Sequence, residues 1–140
     1  MTSYLEEYER NSWGFGKVAK AVGYTLLACI VGYSVYWLFF RNWREESQLK
    51  EFLSLVQAQR YEQAYEAWGC SVEQPCKFYS YESFLEDWGA ESPLGAVKTY
   101  RLGRSYTQEG GVILEVYVNG EKQPNLWVQS DTQAISYFPY

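Results

Sequence analysis

Residues 21–40, AVGYTLLACIVGYSVYWLFF, contain no charged side chain. Lys20 precedes this apolar run and Arg41 follows it. An α-helix rises about 1.5 Å per residue, so about twenty helical residues cross the roughly 30 Å hydrocarbon core of a bilayer. Because a soluble core helix of this length usually carries charges, the run predicts a transmembrane helix.

The flanks of the run favour a retained span over a cleaved signal peptide. Aromatic residues of the kind found at membrane interfaces lie on both sides: Trp13, Phe15, Trp37 and Trp43. A signal peptide has a shorter apolar region and a small-x-small cleavage site after it, whereas FFRNWREES follows here. We therefore expect residues 17–43 to form a transmembrane helix.

Residues 1–16 are predicted to form an arm at the membrane surface. Ser3 and Glu6 have the spacing of a capping box, which favours a short amphipathic helix through Arg10. The sequence NSWGFG at residues 11–16 then favours a turn before the span. Such an arm would lie on the bilayer or dock on a neighbouring subunit.

One side of the predicted span carries small residues. Ala21, Thr25, Ala28 and Gly32 fall within about 60° of one another at about 100° per residue. Small residues let helix backbones approach closely in lipid, so this face predicts packing against a second copy or another membrane subunit. The alternative is chance, because small residues are common in spanning helices. No ionisable side chain in the run supports a transport role.

Residues 44–140 are predicted to form an extramembrane α+β domain. Apolar residues at helical spacing predict three helical segments, around Leu49–Val56, Tyr61–Trp68 and Tyr81–Trp88. After Gly95 the period changes to two and predicts a four-stranded antiparallel sheet, with strands at residues 97–107, 112–118, 122–129 and 133–138. Asn119-Gly120 is a strong hairpin signal. Pro124 suggests an early or edge position in its strand.

The segment LVQAQRYEQAYEAW, and within it Arg60–Tyr65, resembles the opening of NTF2-like (cystatin-like) domains. Residues 84–89, FLEDWG, are similar to the segment before the first long strand of that family. The resemblance covers residues 46–138 in element order and implies helices packed on a curved sheet in the shape of a cone. This fold hosts enzymes, ligand binders and assembly modules, so it does not fix a function.

Cys70 and Cys76 bracket the sequence SVEQP. This spacing permits a small disulfide, with two reduced thiols as the alternative. It is wider than the C-x-x-C spacing of redox-active pairs, and no histidine is present to complete a zinc site. A disulfide would place the domain in an oxidising compartment. The resemblance includes bacterial members with one N-terminal anchor. We therefore expect a bacterial inner-membrane protein with a cytoplasmic N-terminus and a periplasmic domain.

Charge and composition argue against several classes of function. The net charge is −5 and the domain lacks a basic stripe, which argues against nucleic-acid binding. The chain has no histidine, the usual general base near neutral pH. Glu86 and Asp87 are expected on a solvated face, and Arg101 and Arg104 on opposite faces of their strand. The inward sheet positions are expected to be apolar or tyrosine: Tyr100, Leu102, Tyr106, Leu114, Val116, Leu126 and Val128.

These patterns predict no catalytic residue, metal ligand or cofactor site. We expect a non-catalytic, single-pass accessory or assembly subunit of a larger membrane complex, for example a respiratory or photosynthetic one. Its expected partners are other membrane subunits, contacted through the span and the arm, and the lipid bilayer. The alternatives are a membrane-anchored binder or enzyme that uses the cone for a small apolar ligand, and a self-associating anchor.

Overall fold

The computed structural model of this chain describes the backbone of residues 3–138 and the side chains of residues 14–138. The chain divides into two compact units, Met1–Arg41 and Asn42–Tyr140. The first unit contains one helix, α1 (Ser3–Phe40). The second unit is an α+β domain that begins with three helices: α2 (Trp43–Gln57), α3 (Tyr61–Glu66) and α4 (Tyr81–Trp88).

Helix α1 has 38 residues and is about 57 Å long. Every described side chain on it, from Gly14 to Phe40, is exposed. Among the described residues, one helical stretch near the N-terminus is long and apolar enough to cross a membrane. The backbone stays helical through residues 11–16, so the predicted turn there is wrong. A glycine in a helix interior costs only about 1 kcal/mol, and Gly14 and Gly16 do not break the helix.

Helices α2 to α4 lie where the apolar spacing predicts them. The chain leaves α2 through Gln59, whose φ of 58° reverses the backbone direction before α3. Ser80 caps α4, because its side chain accepts a hydrogen bond from the amide of Ser83 at 3.2 Å. Gly89 follows the last residue of α4. The three helices predicted from the sequence are therefore confirmed.

The sheet is antiparallel and has five strands in the described part of the chain. They are β1 (Tyr100–Gln108), β2 (Gly111–Val118), β3 (Glu121–Lys122), β4 (Leu126–Gln129) and β5 (Ile135–Tyr137). The order is β1-β2-β4-β5, and β3 pairs with β2. The predicted strand over residues 122–129 is divided into β3 and β4, so the expected count of four strands is wrong. Pro124, which has no amide hydrogen to donate to a ladder, lies in the interruption.

A β-bulge in β1 changes which side chains face the core. Leu102 pairs with Val116, but the next pair is Ser105 with Leu114, so Gly103 and Arg104 together lie opposite one residue of β2. The extra residue reverses which side chains of β1 face the core and which face outward in residues 105–108.

Three side chains consequently differ from the predicted arrangement. Tyr106 pairs with Ile113 and is 44% exposed, so it does not face inward. Arg101 and Arg104 are both exposed, and the extra residue of the bulge puts both on the outer face of the sheet. A Cβ atom on Gly103 would lie only 2.8–2.9 Å from side-chain atoms of Glu115 and Tyr117, so the bulge requires a glycine there.

The space between the helices and the sheet is filled by side chains. Phe52 makes edge-on contacts with Trp88 at 5.2 Å and Phe84 at 6.2 Å between ring centroids. Phe52, Phe84 and Tyr65 have no solvent exposure. The inner face of the sheet closes this core with Val112, Leu114, Val116, Val118, Leu126 and Val128. The described residues between the helices and the sheet therefore form an apolar core.

Candidate functional site

The predicted small-residue face is part of one continuous helix, α1. Ala21, Thr25, Ala28 and Gly32 are all exposed on it. A Cβ atom built on Gly32 would have no neighbour within 4 Å. The Thr25 hydroxyl donates a hydrogen bond to the Ala21 carbonyl oxygen at 2.9 Å. The hydroxyl is thus satisfied within the helix, and the face is free of polar groups that need water.

The aromatic residues predicted at the membrane interface lie in both units. Phe15 and Trp37 are exposed on α1, and the Arg41 guanidinium lies 4.6 Å from the centroid of the Trp37 ring. Trp43 is the first residue of α2 and belongs to the second unit, where it is 59% exposed. The side chain of Trp13 lies outside the described residues. The position of these four aromatic residues relative to lipid stays a prediction.

Cys70 and Cys76 form a disulfide, with their Cα atoms 5.3 Å apart. The buried Tyr65 hydroxyl fixes the chain that leaves this loop. It accepts a hydrogen bond from the amide of Cys76 at 3.0 Å and donates one to the carbonyl oxygen of Tyr79 at 2.6 Å. The covalent loop and one buried side chain therefore determine where Tyr79 lies.

Tyr79 begins a hydrogen-bond cluster around Asp87. The hydroxyls of Tyr79 and Tyr137 donate to the same Asp87 oxygen, Oδ2, at 2.7 and 3.0 Å. The indole N–H of Trp88 in turn donates to the Tyr137 hydroxyl oxygen at 3.0 Å. Asp87 is exposed as predicted, but its carboxylate is held by protein donors rather than by water alone. We call these four residues the Asp87 cluster.

Burial controls the ionisation of the two tyrosines in the Asp87 cluster. Desolvation is the main cause that raises the pKa of Tyr79, and its hydrogen bond to Asp87 adds to the effect. Desolvation also raises the pKa of Tyr137, with the negative charge of Asp87 acting in the same direction. Both phenols consequently keep their protons at neutral pH and remain hydrogen-bond donors.

The Asp87 cluster borders an open cleft of about 390 Å³. Asp87, Trp88 and Tyr137 line one part of it, and Leu94 and Pro124 line another. The arrangement presents one oriented carboxylate between largely apolar walls. Such a site can hold a group that carries positive charge.

Sequence reasoning did not identify the Asp87 cluster, because its members lie in a loop, in α4 and in β5. No short motif or periodicity links Tyr79, Asp87 and Tyr137 along the chain. Their proximity depends on how α4 packs against the last strand. In the described part of the chain, no group of three or more histidine, cysteine, aspartate or glutamate residues is arranged to hold a metal ion.

No protein-family model, curated protein or solved structure matches this chain.

Proposed function

We propose that this chain is a non-catalytic, single-pass accessory or assembly subunit of a larger membrane complex. The observation that carries the proposal is the filled interior of the α+β domain. Phe52, Phe84 and Trp88 belong to the buried core between the helices and the sheet. A domain with a packed interior acts most directly through its surfaces.

The small-residue face of α1 is the proposed contact with the complex. Its side chains are exposed along a helix that is long and apolar enough to span a bilayer. In lipid, helices associate through close backbone approach, which residues such as Ala28 and Gly32 permit. The arm at residues 1–16 would add a second contact at the membrane surface, and lipid would cover the remaining sides of the span.

We further propose that the domain is NTF2-like and lies in the periplasm of a bacterium, with the N-terminus in the cytoplasm. The Cys70–Cys76 disulfide supports an oxidising location, because disulfides are rare in the cytoplasm. The order of helices followed by an antiparallel sheet supports the family. A respiratory or photosynthetic complex is one setting in which such a subunit would serve.

The alternative function, an anchored binder or enzyme that uses the cone for a small apolar ligand, requires the core to open. Phe52 has no exposed surface, and its ring contacts three other aromatic rings. Moving it aside would remove much of the packing between α2 and α4. The accessory role needs no such rearrangement and is therefore the better supported of the two.

Leucine substitutions on α1 test the proposal. The variant Ala28→Leu/Gly32→Leu fills the small-residue face, and we expect it to lose the proteins that co-purify with the tagged wild-type chain. The control is Gly23→Leu/Ser34→Leu, which adds leucines on the opposite side of the helix, about 160° from the centre of the small-residue face.

Both variants should remain in the membrane fraction after alkaline extraction, since leucine makes the span more apolar. Loss of partners from the first variant alone supports the subunit role. Equal recovery of partners with both variants would show that the face is not the contact.

A further inference from the structure

A cleft of about 390 Å³ opens on the α+β domain beside helix α4. Trp88, Pro93, Leu94 and Pro124 give it apolar walls, and Asp87 is the charged residue in its lining. The volume lies within the range of about 300–1,000 Å³ that is common for small-molecule sites. The cleft is thus large enough for a compact ligand.

The carboxylate in this cleft is held in a fixed position. Tyr79 and Tyr137 both donate to its Oδ2 atom, at 2.7 and 3.0 Å, and Trp88 holds the Tyr137 hydroxyl from the other side at 3.0 Å. Three buried or half-buried aromatic side chains therefore orient Asp87. A preorganised group of this kind loses little entropy when it binds a ligand.

Asp87 is the charged residue among those that line the cleft. Among the described residues, no lysine or arginine pairs with Asp87. A carboxylate without a basic partner attracts cations and repels anions.

We propose that this cleft binds a small organic cation, namely an ammonium group attached to an apolar body. The ammonium would contact the Asp87 carboxylate, and the apolar body would lie against Trp88, Leu94 and Pro124. A neutral apolar ligand would cover the carboxylate without compensating its charge, which is unfavourable. The proposal goes beyond the accessory role and does not depend on it.

Calorimetric titration of the 140-residue chain in a non-ionic detergent tests the proposal. The probe is phenethylammonium, and the control ligand is 2-phenylethanol, which has the same ring and no charge. We expect saturable binding of the amine and binding of the alcohol that is weaker by about tenfold or more, the loss that accompanies one charge-assisted contact. Absence of saturable amine binding, or equal binding of both ligands, would overturn the proposal.

Three variants locate the site. Asp87→Asn should weaken amine binding about tenfold, whereas Glu86→Gln, which removes the neighbouring carboxylate outside the cleft, should leave it unchanged. Leu94→Lys places a tethered cation in the wall of the cleft and should abolish binding. Thermal unfolding of each variant shows whether it is folded. If Asp87→Asn does not fold, Leu94→Lys decides, and undiminished amine binding by a folded Leu94→Lys variant would refute the site.

Discussion

The hydroxyl of Tyr65 donates a 2.6 Å hydrogen bond to the carbonyl oxygen of Tyr79. Since the same hydroxyl accepts from the amide of Cys76, the buried tyrosine joins the disulfide loop to the Asp87 cluster. Tyr65 has no exposed surface, so this connection is made inside the domain. The loop between α3 and α4 is thus fixed both by the disulfide and by the hydrogen bonds of Tyr65.

Removal of the disulfide should destabilise the domain. The variant Cys70→Ser/Cys76→Ser opens a loop whose ends are six positions apart, and closure of so short a loop contributes about 2 kcal/mol to the free energy of unfolding. Denaturant unfolding of the 140-residue chain, followed by tryptophan fluorescence, measures the change. The control is Cys29→Ser on α1, which carries the free cysteine of the described residues. A free energy of unfolding equal to that of the wild type would contradict this role of the disulfide.

High pH should unfold the domain through the two buried tyrosines. Because the pKa values of Tyr79 and Tyr137 are raised above the ordinary value of 10.0, the unfolded state loses these protons first. Their contribution to stability is complete below about pH 10 and is lost as the pH rises from there through the raised folded-state values. In the wild type, the free energy of unfolding should therefore be much lower at about pH 11 than at about pH 8.

The matched variants for this pH dependence are Tyr79→Phe/Tyr137→Phe and, as control, Tyr106→Phe on the outer face of the sheet. The double variant should be less stable at neutral pH, since it loses the hydrogen bonds to Asp87, but its stability should depend less on alkaline pH. Tyr106→Phe should keep the wild-type dependence. An unchanged pH slope in the double variant would mean that other groups control alkaline unfolding.

A core truncation tests whether the interior of the domain is packed. Phe52→Ala removes a ring with no exposed surface and should lower the free energy of unfolding by about 3–5 kcal/mol. Phe78→Ala makes the same chemical change at a side chain that is 90% exposed, and should change stability by less than about 0.5 kcal/mol. Similar effects of the two substitutions would show that the interior is open enough to admit a ligand.

Local patterns predicted much of the fold. In α2 to α4, the apolar residues that recur at helical spacing are the ones that pack in the core. Residues such as Leu49 and Phe84 therefore predicted where these helices lie. The Asn119-Gly120 turn was also predictable, because both residues have positive φ, 52° and 85°, as hairpin turns of this type require. The length and lack of charge of residues 21–40 predicted a helix long enough to span a membrane.

Features that depend on pairing across the sheet were not predictable. The Asn119 side chain also bonds the backbone of the preceding loop, since its Nδ2 donates to the carbonyl oxygens of Leu94 and Ala96. The bulge at Gly103 depends on the space available beside Glu115, and its effect on Tyr106 follows from pairing rather than alternation. The Asp87 cluster is of the same kind, because residues distant in the chain meet only after α4 packs on the sheet.

The most direct test of the accessory role is the native mass of the particle that contains this chain. Membranes are extracted with a mild detergent, the tagged chain is purified, and its mass is measured by light scattering alongside mass spectrometry of the co-purifying proteins. We expect a particle much larger than the 16.4 kDa chain, with other membrane proteins present in a constant ratio. A particle that contains one copy of this chain alone, or copies of this chain only, would contradict it.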